Sequence, residues 1–141
     1  MTDKFGPDHY RYVAGADPDG VEIRCQKFVV VGETPHYYYV VSDFYGHLIH
    51  ARHQPWAEQR IKRVRKRVSK DGRRRHCYPD KLLALRSFIA RQQRRLGHAQ
   101  MNMSVAKLSL AEAERLLEAG HMPTGSHPCG HDEYTENLVW E

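Results

Sequence analysis

The sequence lacks the features that mark several large classes of protein. No apolar run approaches the roughly 18–20 residues that a transmembrane helix needs, and residues 1–4 are not followed by the apolar stretch of a signal peptide. Cysteine is scarce, because Cys25, Cys77 and Cys129 are the three in the chain and stand far apart. Such an odd, widely spaced set is typical of free thiols in a reducing compartment. We therefore expect a protein of the cytoplasm.

The familiar catalytic motifs are also missing. The chain has no glycine-rich loop with phosphate-cradling spacing, no H-E-x-x-H motif and no G-x-S-x-G motif. Cys77 follows Arg75 and His76, and this electropositive setting favours a lowered thiol pKa. A nucleophilic cysteine also needs a base beside it in space, and the sequence identifies none. We therefore predict that the protein is not an enzyme.

The composition is that of a small globular protein. The chain has 141 residues, of which 40% are hydrophobic and 28% are charged, and this suits one modest core. We expect one domain comprising a loose lead-in at 1–19, a mainly β region at 21–78, a helical region at 80–119 and a tail at 121–141.

Positive charge is concentrated in one part of the chain. Residues 60–95 contain fifteen Lys and Arg against two acids, a net charge of +13, whereas the remainder has seven cations against fifteen acids, a net charge of −8. Self-repulsion within the basic block lowers stability. We expect an anionic partner or an acidic surface of the same chain to offset it.

Two segments have the pattern of β-strands. Residues 21–31 begin with alternating apolar positions and end in a continuous apolar run, which indicates a strand with a bulge. Residues 36–41 are aromatic and β-branched, which is typical of a strand. The turn-forming residues 32–35 between them predict an antiparallel hairpin.

Residues 57–78 fit two interpretations. Apolar residues at helical spacing favour a helix over 57–68. A strand is favoured by the alternation that sets Arg63, Arg65 and Arg67 on one face and Val64, Lys66, Val68 and Lys70 on the other. Asp71-Gly72 is typical of a type I′ hairpin turn, in which both positions need positive φ. We favour a hairpin whose return strand covers 73–78, and the helix is the alternative.

The region after Pro79 predicts a helix. Asp80 is a good N-cap, and apolar residues then follow one face of an amphipathic helix to Leu96. The stripe extends past Gly97, while a capping box at 109–112 favours a separate helix; either would end at Gly120. The expected fold is α+β, with a small antiparallel sheet of β-hairpins packed against one or two C-terminal helices.

The basic hairpin and the Arg side of this helix form the candidate binding surface. Clustered cations gain affinity for nucleic acid through counterion release, a two-stranded ribbon can enter a groove, and Tyr37–Tyr39, His76 and Tyr78 could stack on bases. The alternative is a solvated face whose Arg stems cover apolar surface. The candidate residues are Lys62, Arg63, Arg65, Lys66, Arg67, Lys70, Arg73, Arg74, Arg75, Arg86, Arg91 and Arg94.

Histidines suggest two alternative metal sites. His121, His127, Cys129 and His131 could surround zinc, but the usual pair of closely spaced cysteines is absent, so we expect no cofactor and keep zinc as the alternative. Three further histidines recur every third residue in segment 46–53, without an acidic residue at matching spacing. A metal-dependent nuclease is therefore the least favoured function.

Residues 71–91 carry a resemblance to known proteins. This segment, DGRRRHCYPDKLLALRSFIAR, resembles small bacteriophage and mobile-element proteins in which a short sheet turns into an Arg-rich helix. Some of these are anti-CRISPR proteins, which inhibit host defence ribonucleoproteins. The resemblance covers about 25–30 residues and implies a non-catalytic accessory protein that binds a nucleoprotein complex or nucleic acid in the host cytoplasm. A DNA- or RNA-binding regulator, with or without zinc, is the alternative.

Overall fold

The computed structural model describes residues 6–136. The chain divides into two compact units, Met1–Ala90 and Arg91–Glu141, so the prediction of one domain stays a prediction. Among the described residues, no helix is both long enough and apolar enough to cross a membrane.

The first unit contains a four-stranded antiparallel sheet with its strands in chain order. The strands are β1 (His9–Asp17), β2 (Gly20–Glu33), β3 (Tyr37–Ser42) and β4 (Lys66–Ser69). The predicted β2–β3 hairpin is confirmed, and its register shifts between Val30 and Gly32, where the sequence indicates a bulge.

Strand β1 corrects the prediction of a loose lead-in. It pairs with β2 along its whole length, from His9 opposite Phe28 to Asp17 opposite Gly20. Apart from His9, its side chains are half-buried or exposed. A strand without a buried face needs no apolar alternation, and the sequence of β1 has no strong alternation of this kind. Backbone pairing with a longer neighbour forms this strand.

The predicted hairpin at 57–78 is wrong. A 3₁₀ helix (Asp43–Ile49) and helix α1 (Pro55–Val64) precede β4, and residues 73–78 form no return strand. Gly72 does not adopt positive φ; instead the Ser69 hydroxyl accepts hydrogen bonds from the backbone N–H groups of Asp71 and Gly72, at 3.3 and 2.8 Å. The helical alternative prevails over 55–64 because it buries Ala57 and Ile61 completely.

The two faces of the sheet bury separate apolar clusters. On one face, the 3₁₀ helix and α1 cover the sheet with Leu48, Ile49, Ala57 and Ile61. On the other face, Cys77 from the segment after β4 joins apolar residues of the sheet. The second cluster comprises Phe28, Val30, Val40, Val68 and Cys77.

The segment after β4 returns to the opposite edge of the sheet. Tyr10 of β1 and Tyr78 exchange two backbone hydrogen bonds, with N···O distances of 2.6 and 2.9 Å. Cys77 beside this pair has no solvent exposure. The sheet therefore curls, and the basic residues at 73–75 lie in the connection that closes it.

Helix α2 spans Lys81–Ala119. The predicted N-cap is confirmed, because the Asp80 carboxylate accepts a hydrogen bond of 2.8 Å from the Leu82 N–H. A separate helix at 109 is wrong, since the Ser109 hydroxyl donates back to the Val105 carbonyl within one continuous helix. The predicted stop is confirmed at Gly120, whose φ of 70° ends the helix in a left-handed turn.

Substitution of Ile61 tests the helical packing of α1. Because Ile61 is fully buried, we expect Ile61→Ala to lower the free energy of unfolding by about 2–5 kcal/mol. The neighbouring exposed substitution Lys62→Ala is the control and should change it by less than about 0.5 kcal/mol. Urea denaturation measures both, and equal losses would contradict this packing.

Candidate nucleic-acid interface

The arginines around β4 lie over tyrosines of β3. Strand pairing sets Tyr39 opposite Arg67. The Cζ atom of Arg65 lies 4.2 Å from the centroid of the Tyr39 ring, and that of Arg67 lies 4.4 Å from the centroid of Tyr37. Such cation–π contacts hold a guanidinium in place while its N–H groups remain able to donate.

Strand β4 lies at the edge of the sheet, and alternation along it places the predicted cations on both faces of the sheet. Val68 enters the second apolar cluster, so Lys66, two residues before it, lies on the same side. Lys70 lies 4.8 Å from the centroid of the Tyr38 ring and forms an ion pair with Glu33. Arg65 and Arg67 lie on the opposite side.

Lys62 and Arg63 are exposed in the last turn of α1, and the other predicted cations lie in the loop after β4 and on α2. Arg73 and Arg74 are exposed, whereas Arg75 donates a hydrogen bond of 2.7 Å to the Gly72 carbonyl. Arg86 is exposed on the part of α2 that belongs to the first unit, and Arg91 and Arg94 belong to the second unit.

Few of these cations have carboxylate partners. Within residues 6–90, the described part of the first unit, Lys70 is the member of the predicted set that forms an ion pair. Arg52 pairs with Glu58, but Arg52 lies outside the basic block and also donates to the Val31 carbonyl, which fastens the loop before α1 to β2. Among the described residues, most cations around β4 therefore form no ion pair, although the charges of Lys62 and Arg65 help to lower the pKa of Glu58, after its hydrogen bond with Arg52.

A groove between the 3₁₀ helix and α1 is a feature that sequence reasoning missed. It encloses about 530 Å³. Phe44 and Trp56 on its walls are 76% and 58% exposed, which is unusual for such large apolar side chains. The groove is lined by Phe44, Tyr45, Leu48, Trp56, Arg60 and Arg63.

Internal contacts orient the groove wall. The Phe44 and Tyr45 rings meet edge to face, with centroids 5.0 Å apart, and the Arg60 Cζ lies 5.5 Å from the Tyr45 centroid. Phe44 and Trp56 are twelve positions apart, and the packing of the 3₁₀ helix against α1 brings them to one groove. Trp56, four residues before the basic block, was the available sequence signal.

The aromatic residues that the sequence predicts for base stacking make contacts within the fold. Arg67 and Arg65 lie over the Tyr37 and Tyr39 rings. Tyr78 is 8% exposed, and the His76 ring packs against Phe28 with centroids 5.2 Å apart. Phe44 and Trp56 offer more accessible stacking surfaces.

The proposed zinc ligands have other contacts in the second unit. The His127 Nε2 atom lies 2.9 Å from Glu112 Oε1, and hydrogen bonds from Arg115 and His127 lower the pKa of Glu112 to about 2. The Cys129 thiol donates to the His127 carbonyl, and His131 lies 4.0 Å from Glu136. In the part of the chain that the structure describes, no group of three or more His, Cys, Asp or Glu side chains is placed to hold a metal ion. His121 is therefore not part of such a group either.

Cys77 does not have the lowered pKa that its sequence neighbours suggested. Burial raises the pKa of the thiol to about 12, although the charges of Arg11 and Lys66 oppose this shift. The loss of hydration outweighs the nearby cations because the thiolate would lie inside an apolar cluster. A buried, protonated thiol is a poor nucleophile.

Comparison with known proteins found no match to a protein family, a curated protein or a solved structure. The resemblance of residues 71–91 to phage accessory proteins therefore stays a prediction. Support for a function comes from the groove and from the cations beside it.

Thiol alkylation tests the position of Cys77. Cys25 and Cys129 are exposed and should react with iodoacetamide in the folded protein. Cys77 should remain unmodified even at pH 10, because its raised pKa of about 12 keeps the thiol protonated there, and it should react after unfolding in urea. Mass spectrometry of the peptides identifies each site, and modification of native Cys77 at the rate of Cys25 would contradict its burial.

Proposed function

We propose that the protein binds single-stranded nucleic acid along the groove between the 3₁₀ helix and α1. Bases stack on Phe44 and Trp56, and the phosphates lie against Arg60, Arg63 and Arg65. The observation that carries this proposal is the presence of two exposed aromatic side chains, Phe44 and Trp56, in one groove with Arg60 and Arg63.

The aromatic side chains favour single strands over duplexes. A base in a duplex is stacked on both faces, whereas an unpaired base can lay its ring on an aromatic side chain. Stacking of this kind contributes about 1–3 kcal/mol per base and tolerates any sequence. Phe44 and Trp56 can therefore hold unpaired bases without reading their identity.

The arginines supply the electrostatic part of the binding. Arg63 lies in the last turn of α1, Arg65 is the extended C-cap residue between that helix and β4, and Arg60 lies one helical turn before Arg63. Arg60 and Arg63 line the aromatic groove, so a strand whose bases enter the groove brings its phosphates near them, and Arg65 follows two residues after Arg63. Release of counterions from those phosphates makes the affinity fall as salt rises.

The proposed setting is a nucleoprotein complex. The protein would act without a reaction of its own in the cytoplasm of a host cell, by occupying single-stranded guide or target nucleic acid of a CRISPR-type effector. The resemblance at residues 71–91 suggests this setting, while the groove supports the binding chemistry. A regulator would use the same cations on free nucleic acid.

Truncation of the groove aromatics tests the stacking. We expect Trp56→Ala and Phe44→Ala each to weaken binding of a fluorescein-labelled oligonucleotide by about 5- to 100-fold, from the loss of one stacked base. Fluorescence anisotropy at 100 mM salt measures this. Tyr134→Ala is the control, because Tyr134 is an exposed aromatic of the second unit, and it should have no effect.

Three results distinguish the settings. Tight binding to naked single strands supports the groove proposal, and preference for duplex would overturn it. If the protein binds a purified CRISPR effector with its guide RNA and the Trp56→Ala variant does not, the nucleoprotein setting is supported. If free strands bind but the effector does not, a regulator is favoured.

Charge reversal tests the phosphate contacts. We expect the double variant Arg63→Glu, Arg65→Glu to weaken binding strongly and to lower the slope of log K against log salt by about two, since each lost phosphate contact removes about one. Arg24→Glu, Lys27→Glu on β2 changes the net charge equally and should have a much smaller effect. Equal losses would show that total charge, rather than this site, governs binding.

A further inference from the structure

The second unit covers one side of α2 with the C-terminal tail. Asp132 accepts a hydrogen bond from the buried Ser104 hydroxyl, and His127 contacts Glu112. Leu116 is buried. Because Ser104, Glu112 and Leu116 are separated by eight and four residues, they lie along one face of the helix.

The opposite side of the helix carries an uncovered apolar stripe. At 100° per residue, positions 103 and 110 point away from positions 104 and 112. Large apolar residues recur there at intervals of seven, and an alanine stands three residues after each of the first three. The large residues are Leu96, Met103, Leu110 and Leu117, which are 49–69% exposed, and the small ones are Ala99, Ala106 and Ala113, which are also exposed.

This spacing is that of a coiled-coil seam. In heptad notation, the large residues occupy a positions and the alanines occupy d positions. A seam of this kind packs against a second helix with the same repeat, and the described residues of the second unit provide no such helix. We infer that a second copy of the chain covers the stripe, and that the two α2 helices pair in antiparallel orientation.

The sizes of the side chains favour the antiparallel orientation. In an antiparallel pair, a residues face d residues of the other helix, so each large side chain meets an alanine and the layers interdigitate. Leu110 then faces Ala106 of the partner subunit, and Met103 faces Ala113 of the partner subunit. A parallel pair would instead stack large residues on large ones and alanines on alanines.

Charge complementarity favours the same orientation and sets the register. Lys107 and Glu114 flank the stripe at equivalent e positions, and e positions face each other in an antiparallel pair. The register that sets Leu110 against Ala106 places Lys107 beside Glu114 of the partner subunit, twice by symmetry. Both side chains are exposed and, within residues 6–136, neither forms an ion pair; in a parallel pair Lys107 would face Asn102.

The oligomeric state gives the first test. The chain has a mass of 16.4 kDa, and light scattering coupled to size exclusion should give twice this mass. Leu110→Asp should yield the monomer with the helical circular dichroism retained. Val105→Asp is the matched control, because Val105 is an apolar residue of 49% exposure that lies off the stripe, and it should remain a dimer. A monomeric wild type at 100 μM, or equal effects of the two variants, would overturn the inference.

Charge exchange tests the register. Lys107→Glu and Glu114→Lys should each raise the dimer dissociation constant by roughly tenfold, because each sets like charges against one another. The variant with both changes should recover most of the wild-type affinity. Additive weakening in the double variant would exclude this pairing.

Cysteine cross-linking tests the orientation. In a chain with Cys25→Ser and Cys129→Ser, the double variant Met103→Cys, Ala113→Cys should form an intermolecular disulfide on mild oxidation, whereas each single variant should not. Efficient cross-linking of the single variants would indicate a parallel pair and contradict the proposal. Since these positions lie in the second unit, the oligonucleotide affinity of the groove distinguishes failure of this inference from failure of the proposed function.

Discussion

The closure of the sheet by the segment after β4 is the constraint on which the first unit depends. Tyr78 completes a backbone pair with Tyr10, and Cys77 beside it fills the second apolar cluster with Val68. The same short stretch of chain therefore contributes to the core and carries four cations of the basic block, at positions 70 and 73–75. Because its few apolar side chains must point inward, its arginines and lysines are left at the surface.

The tyrosines of β3 hold some of the charged side chains at this surface in fixed positions. Arg65 and Arg67 lie over Tyr39 and Tyr37, so these guanidinium groups would lose less freedom on binding the phosphates that we propose. A carboxylate partner would have held them too, but would have competed with an anionic ligand. The ring contacts order the charge without neutralising it, which suits a binding surface.

Local patterns predicted some elements well and others poorly. The β2–β3 hairpin and the helix stop at Gly120 follow from alternation and from glycine's access to positive φ, which are properties of neighbouring residues. The sequence of residues 57–78 fits both the spacing of a helix and the alternation of a strand, and the burial of Ile61 favours the helix over 55–64. The groove could not be predicted, because Phe44 and Trp56 meet through the packing of two elements.

The sequence by itself determined the α+β class and the basic block, because composition and spacing along the chain are sufficient to define them. Only the tertiary structure decided that the cations at β4 lie on both faces of the sheet and that Cys77 is buried with a raised pKa. It also decided that exposed aromatic side chains line a groove with Arg63. Solvent access depends on which surfaces pack together, and distant parts of the chain determine that packing.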